Sequence, residues 1–125
     1  MSAQQDTRRY LVVGANHRSS TNSTRDRLIV EDNRASKLLL RLRDAGLNEA
    51  LLLSTCARTE VQAAHAAPDE AARIVKRLFA EQCGMDDVEI SPQLYSYEDQ
   101  TAVRHVFSVA AALDSPVIGE PQVNG

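Results

Sequence analysis

The chain alternates short apolar runs with longer stretches in which apolar residues recur every three or four positions. Tyr10-Leu11-Val12-Val13-Gly14 is β-rich and bounded by polar residues, which predicts a first strand. Ala15 to Thr24 is polar and turn-like, and a short helical piece is expected around Thr24 to Ile29. The period then changes. Ala35, Leu38, Leu39, Leu42 and Ala45 fall on one face of a helix, with Arg34, Lys37, Arg41 and Asp44 on the other. Asp32 is placed to cap that helix near Asn33, and Gly46 to end it. Glu49 to Ser54 predicts a second strand, apolar enough to lie centrally in a sheet. Glu60 to Ala66 is a third strand, weakened by its alanines. Pro68-Asp69 opens a helix that buries Ala71, Ile74, Val75 and Leu78 and turns Arg73, Lys76, Arg77 and Glu81 to water, up to Gly84. Leu94-Tyr95-Ser96-Tyr97 is the fourth strand. A last helix, roughly Asp99 to Ala112, carries Val103, Val106, Phe107 and Ala110 on one stripe. The tail from Leu113 to Gly125 reads as a loop.

The order β-α-β-β-α-β plus a final helix predicts an α+β fold. It suits a ferredoxin-like split β-α-β sandwich: a four-stranded antiparallel sheet with helices on one face, plus a C-terminal helix. At 125 residues the chain makes one domain of ordinary size. Neither a repeat nor a low-complexity segment interrupts it.

Composition narrows the function classes. Apolar residues are 43% and charged residues 25%, a globular balance. No apolar run approaches the roughly 20 residues of a membrane span, and the polar start lacks a signal peptide's apolar core, so a cytoplasmic protein is expected. The two cysteines form no C-x-x-C spacing and the three histidines no paired spacing, which argues against a zinc site. Cys83 reads as a small semi-buried residue near a helix end. The net charge of −3 argues against a protein coated for nucleic acid. From Arg18 to Arg43, however, seven basic residues face three acidic ones. A solvated helix face or a contact with a polyanion such as tRNA would each explain that run. Gly14 stands alone, with no G-x-G-x-x-G loop after any strand, so no dinucleotide cradle is visible.

Ser54-Thr55-Cys56-Ala57-Arg58-Thr59-Glu60 is the stretch that carries chemistry. A thiol where an apolar strand stops is held in place and still faces an edge that a substrate can reach. A thiolate is the best side-chain nucleophile at neutral pH. Position alone favours a buried structural cysteine.

Three motifs change that balance. They are Val13-Gly14-Ala15-Asn16-His17-Arg18 followed by Arg25-Asp26-Arg27-Leu28, then Ser54 to Glu60, then His105-Val106-Phe107-Ser108-Val109-Ala110-Ala111-Ala112-Leu113-Asp114-Ser115 running into Gly119-Glu120-Pro121-Gln122. In order and spacing the chain resembles the N-terminal catalytic domain of glutamyl-tRNA reductase. The resemblance implies a ferredoxin-like fold and an oxidoreductase that reduces the glutamyl group of glutamyl-tRNA to glutamate-1-semialdehyde with NADPH. That step commits the five-carbon route to 5-aminolevulinate and tetrapyrroles (porphyrins). It also implies an NADPH domain and a helical dimerisation domain, neither of which fits in this chain, and a downstream aminomutase as a further partner. Residues 1–113 would be the catalytic domain, and 114–125 a substrate-pocket loop leading to the NADPH domain.

The resemblance assigns Cys56 as the nucleophile that forms a glutamyl thioester and His105 as a proton carrier to the leaving hydroxyl. Arg58 would hold the substrate carboxylate by paired hydrogen bonds, favour the thiolate by its charge, and select glutamate. The competing reading of Arg58 is a surface ion pair with Glu60. Thr55 and Ala57 flank the thiol as substrate-binding positions, Thr55 through its hydroxyl and N–H. Ser115, Glu120, Pro121 and Gln122 would line the glutamyl pocket. His17 would hold the loop after the first strand, and His65 would be exposed.

The chain departs from the family pattern at several points. Ala57 stands where asparagine is usual, Thr21 where proline is common and Gln62 where an aromatic is common. Pro116 after Ser115 is also unusual, and a proline there would stiffen the loop. After the stretch Gly119 to Gly125 the family continues with a glutamine and a long helix, whereas this sequence ends there, either as a piece cut at a domain boundary or as a short homologue. Two other functions stay open: a non-catalytic module that binds glutamyl-tRNA or a regulator, and a stand-alone thiol hydrolase of unrelated substrate.

Overall fold

The computed structural model describes residues 7–28 and 32–114. The strands are β1 (Arg9–Asn16), β2 (Glu49–Ser54), β3 (Arg58–His65) and β4 (Tyr95–Glu98). The helices are α1 (Asn22–Leu28), α2 (Asp32–Asp44), α3 (Pro68–Cys83), α4 (Asp87–Ile90) and α5 (Asp99–Asp114). The sheet runs β2-β3-β1-β4, and every neighbouring pair is antiparallel. β1 and β2 are therefore parallel strands flanking β3, while β3 and β4 flank β1. This is the split β-α-β arrangement that the sequence predicts, with β1 and β3 at its centre.

The two faces of the sheet are built differently. On one face Leu11, Val13 and Ala15 of β1 join Val61 and Ala63 of β3. They pack against Leu38 and Leu42 of α2 and Ile74, Val75, Leu78 and Phe79 of α3 in one apolar core. Gly46 and Gly84 end α2 and α3 in the left-handed region that glycine adopts without strain. Cys83 lies near the end of α3, as its sequence context suggests, but it is buried in the core rather than semi-buried.

On the other face α5 lies across β1 and β4, burying Ala102 and Val109 over Val12. Opposite residues across an antiparallel pair share a face, so the register writes its rows. One row is Leu53, Glu60, Gly14, Tyr95, and the next is Leu51, Gln62, Val12, Tyr97.

The structure departs from the sequence reading at four places. β2 is an edge strand rather than a central one, with Leu51 59% exposed. Its apolar run is two-faced: Ala50 and Leu52 pack on the core, while Leu51 and Leu53 belong to the opposite face. The stripe of α5 is also rotated. Ala102 and Val109 are its buried residues, His105 and Val106 are half-buried between them, and Phe107 is 71% exposed. Between α3 and β4 the chain forms α4, started by a capping box between Asp86 and Glu89, and a 3-10 turn at Ser91–Gln93. Finally, α2 begins at Asp32 itself, one residue before its expected start.

Candidate active site

The hairpin between β2 and β3 carries Cys56 on a three-residue loop, Thr55 to Ala57. Thr55 closes this loop. Its N–H donates to the Arg58 carbonyl (2.7 Å), and its hydroxyl accepts from the N–H groups of Ala57 and Arg58 (both 3.2 Å). Below the loop Ser54 Oγ meets Thr59 Oγ1 at 3.1 Å, and Thr59 also donates to the Leu28 carbonyl. Cys56 is exposed. Among the described residues neither its thiol nor its N–H has a hydrogen-bond partner.

Four residues below Cys56 in sequence lies Glu60, whose side chain is completely buried. Its Oε1 accepts from the Tyr95 hydroxyl at 2.5 Å and from His105 Nε2 at 2.9 Å, and Arg58 Nη1 approaches at 3.5 Å. Its Oε2 accepts from Gln62 Nε2 at 2.7 Å. The register makes room for this carboxylate. Gly14 stands directly opposite Glu60, and a Cβ at position 14 would lie 2.4 Å from Glu60 Cβ and 2.8 Å from the Thr59 carbonyl oxygen. Gly14 is thus required by close approach, not by its backbone angles.

Burial by itself pushes the Glu60 carboxyl up, but hydrogen bonds from Tyr95, Gln62 and His105 outweigh it. The group is held below the usual carboxylate range and stays ionised. Tyr95 moves oppositely: burial first, then its hydrogen bond to the Glu60 carboxylate and that group's charge, push the phenol far up. It remains a donor. The His105 ring lies against both tyrosines, with centroids 5.1 Å from Tyr95 and 5.0 Å from Tyr97.

Above this cluster a cavity of about 470 Å³ opens. Asn16, Arg18 and Ser19 line it from β1 and its following loop, Arg58, Tyr95 and Tyr97 from the sheet, and His105 and Ser108 from α5. Asn16 and Arg58 are direct partners across β1 and β3. The loop after β1 is held by Asn16 Oδ1, which accepts from the N–H groups of Arg18 and Ser19, and by Arg25, which donates to the Ser20 carbonyl at 2.7 Å.

Of the expected residues, Arg58 and His105 are brought together, both on Glu60 Oε1 and both on the cavity. The ion pair of Arg58 with Glu60 exists, but it lies inside the protein rather than on its surface, with the Arg58 side chain 17% exposed. Cys56 sits outside the lining, at the hairpin tip. Thr55 has its N–H engaged in the loop, so it holds the thiol's loop and has no amide left for a substrate. Ala57 is exposed and contributes its N–H to the same loop. Ser115, Glu120, Pro121 and Gln122 lie outside the described residues. His17 is exposed and holds nothing among the described residues. His65 is half-buried, with Nδ1 accepting from the Ala67 N–H at 2.9 Å.

The sequence reading gives Glu60 only as a surface ion-pair partner of Arg58, and Tyr95 only as a strand residue. The available signal was a glutamate in a strand of otherwise small and apolar residues, ahead of a helix with a histidine on its inner face. The described residues do not fit the NADPH that the resemblance implies for a whole enzyme. Gly14 faces a buried carboxylate from inside β1 and cannot cradle a pyrophosphate. Among the described residues no helix is long and apolar enough to cross a membrane.

A family model, glutamyl-tRNAGlu reductase, N-terminal domain, matches residues 13–125. The glutamyl-tRNA reductase of Rhodospirillum rubrum is 38% identical over 119 residues, covering 93% of this chain and 27% of the relative. That of Magnetococcus marinus is 39% identical over 118 residues, covering 92% and 28%. The chain spans about a quarter of the length of the curated relatives it matches. Among solved structures it is similar to glutamyl-tRNA reductase from Methanopyrus kandleri, with a TM-score of 0.57 and 26% identity over 89% of this chain and 24% of that one.

Proposed function

Since this chain belongs to the glutamyl-tRNA reductase family, as its N-terminal domain, we propose that it takes the glutamyl group of glutamyl-tRNA onto Cys56 as a thioester. The observation that carries this reading is the cavity that gathers His105 with Arg58, and Arg58 lies two positions along the chain from an exposed thiol. Arg58 gives the cavity a guanidinium for the substrate's side-chain carboxylate. The Cys56 sulfur bonds to the ester carbonyl carbon, and the bond from that carbon to the tRNA ribose oxygen breaks. The thiol proton travels through His105 to the departing ribose oxygen, so no proton is gained or lost overall. The unpartnered Cys56 N–H is the donor for the carbonyl oxygen as it becomes negative. The loop hydrogen bonds of Thr55 keep thiol and N–H together.

A thioester accepts hydride more readily than an ester. In a whole enzyme of this family that hydride would come from NADPH, for which the described residues offer no cradle, and the resulting semialdehyde is a reactive aldehyde suited to hand-over to an aminomutase. With this chain alone, water slowly releases glutamate from Cys56. Incubation with tRNA charged with radiolabelled glutamate should place label on the protein, and Cys56→Ala should remove it. Label kept at wild-type level by Cys56→Ala would sink the nucleophile assignment. Tight tRNA binding with no label on the wild type would favour the non-catalytic binding module.

A further inference from the structure

Among the described residues Glu60 is the only charged side chain that is fully buried, and the acyl-transfer reading gives it no step. The geometry points to Glu60 as the positioning residue that locks His105 in its Nε2–H tautomer and leaves Nδ1 as the proton acceptor of the cavity. This rests on the acyl-transfer reading for the proton that Nδ1 receives, but not for the tautomer.

An ionised carboxylate is acceptor-only, so a ring nitrogen 2.9 Å from Glu60 Oε1 must carry the hydrogen. A neutral imidazole has one N–H and one lone pair. With the hydrogen committed to Nε2, the lone pair is on Nδ1, which has no partner among the described residues. His105 lines the cavity, where that lone pair is useful. The carboxylate is itself fixed. Tyr95 presses on the same oxygen at 2.5 Å, Gln62 holds the other at 2.7 Å, and the absent Cβ of Gly14 lets the backbone of β3 come close. The same oxygen also meets Arg58, so one anchor aligns the proton carrier and the carboxylate clamp. This is the logic of an orienting carboxylate behind a histidine base.

The nitrogen-15 shifts of His105, read in the whole chain with the ring neutral, test the tautomer directly. A protonated Nε2 with an unprotonated Nδ1 is expected, and a protonated Nδ1 in the wild type overturns the proposal. Glu60→Gln keeps the shape and removes the charge. Its amide offers one acceptor oxygen and one donor, so the single tautomer should be lost. Acylation of Cys56 by glutamyl-tRNA should then fall about 10²-fold in kcat, with KM changed far less. A Glu60→Gln protein that keeps the wild-type tautomer, or acylates at the wild-type rate, also overturns it. A wild type that never acylates sinks the acyl-transfer reading alone, whereas a wrong tautomer sinks this one alone.

Discussion

The two faces of one four-stranded sheet do opposite work. The face toward α2 and α3 is made of Leu11, Val13, Ala15, Val61 and Ala63, and among the described residues no charged side chain is buried with them. The face toward α5 is centred on a buried glutamate held by tyrosine, glutamine and histidine. Burial of apolar surface supplies free energy in proportion to area, so the first face stabilises the fold. A buried ionised group costs desolvation that its hydrogen bonds must offset, so the second face contributes less stability and more order. Residues one position apart in β3, Val61 and Glu60, sit on these two faces because side chains alternate along a strand.

The largest way to break this contrast is through the core. Among the described residues Phe79 is the largest fully buried side chain, and Phe79→Ala should lower unfolding free energy by about 3–5 kcal/mol in a urea titration. The His105 tautomer should persist in the molecules that remain folded. Gly14→Ala comes next and strikes the second face from beneath. The new Cβ meets the backbone of Thr59 and Glu60, so β1 and β3 must separate locally. A loss of about 1–3 kcal/mol is expected by the same titration, with a shifted Glu60 and an altered His105 spectrum. If Gly14→Ala changes stability but leaves that spectrum intact, its strain passes to the apolar face and the two faces are not separate.

The smallest effect sharpens the comparison through pH. The Glu60 carboxyl is held below its ordinary value of 4.5, so the ionised form stabilises the folded state above that pH. This contribution should fade as pH drops below 4.5 and the carboxylate takes up a proton. Glu60→Gln should flatten that part of the acid-unfolding curve, while Phe79→Ala should lower the whole curve without changing its shape there.

Much of the first face was legible in the sequence, because apolar periodicity reports burial in a core. The face of α2 with Leu38 and Leu42 and that of α3 with Ile74, Val75 and Leu78 are where the period puts them. Strand order is not a local property, so the Leu51-Leu52-Leu53 run looked central and is an edge. The buried face of α5 departs from its apolar stripe for a related reason. Its orientation follows a polar contact, His105 on Glu60, which draws His105 inward and leaves Phe107 outside. The short α4 has four residues, too few for a period to show. At the site, Cys56, Arg58 and His105 were visible as a motif. Glu60 belongs to the same motif, but its burial is not legible there, because a glutamate alternating with Val61 reads as the wet side of a half-buried strand. Only the crossing of α5 makes that side dry.

The close approach of Gly14 and Glu60 also bears on transplanting this hairpin into another scaffold. A graft of Ser54 to Glu60 alone would carry the thiol and the guanidinium but arrive with its glutamate pressed against a foreign Cβ. The smallest portable unit is a patch from three strands, β1, β3 and β4, with the turn of α5 that bears His105. Its parts are scattered over some ninety positions of chain, so no contiguous peptide can stand in for it.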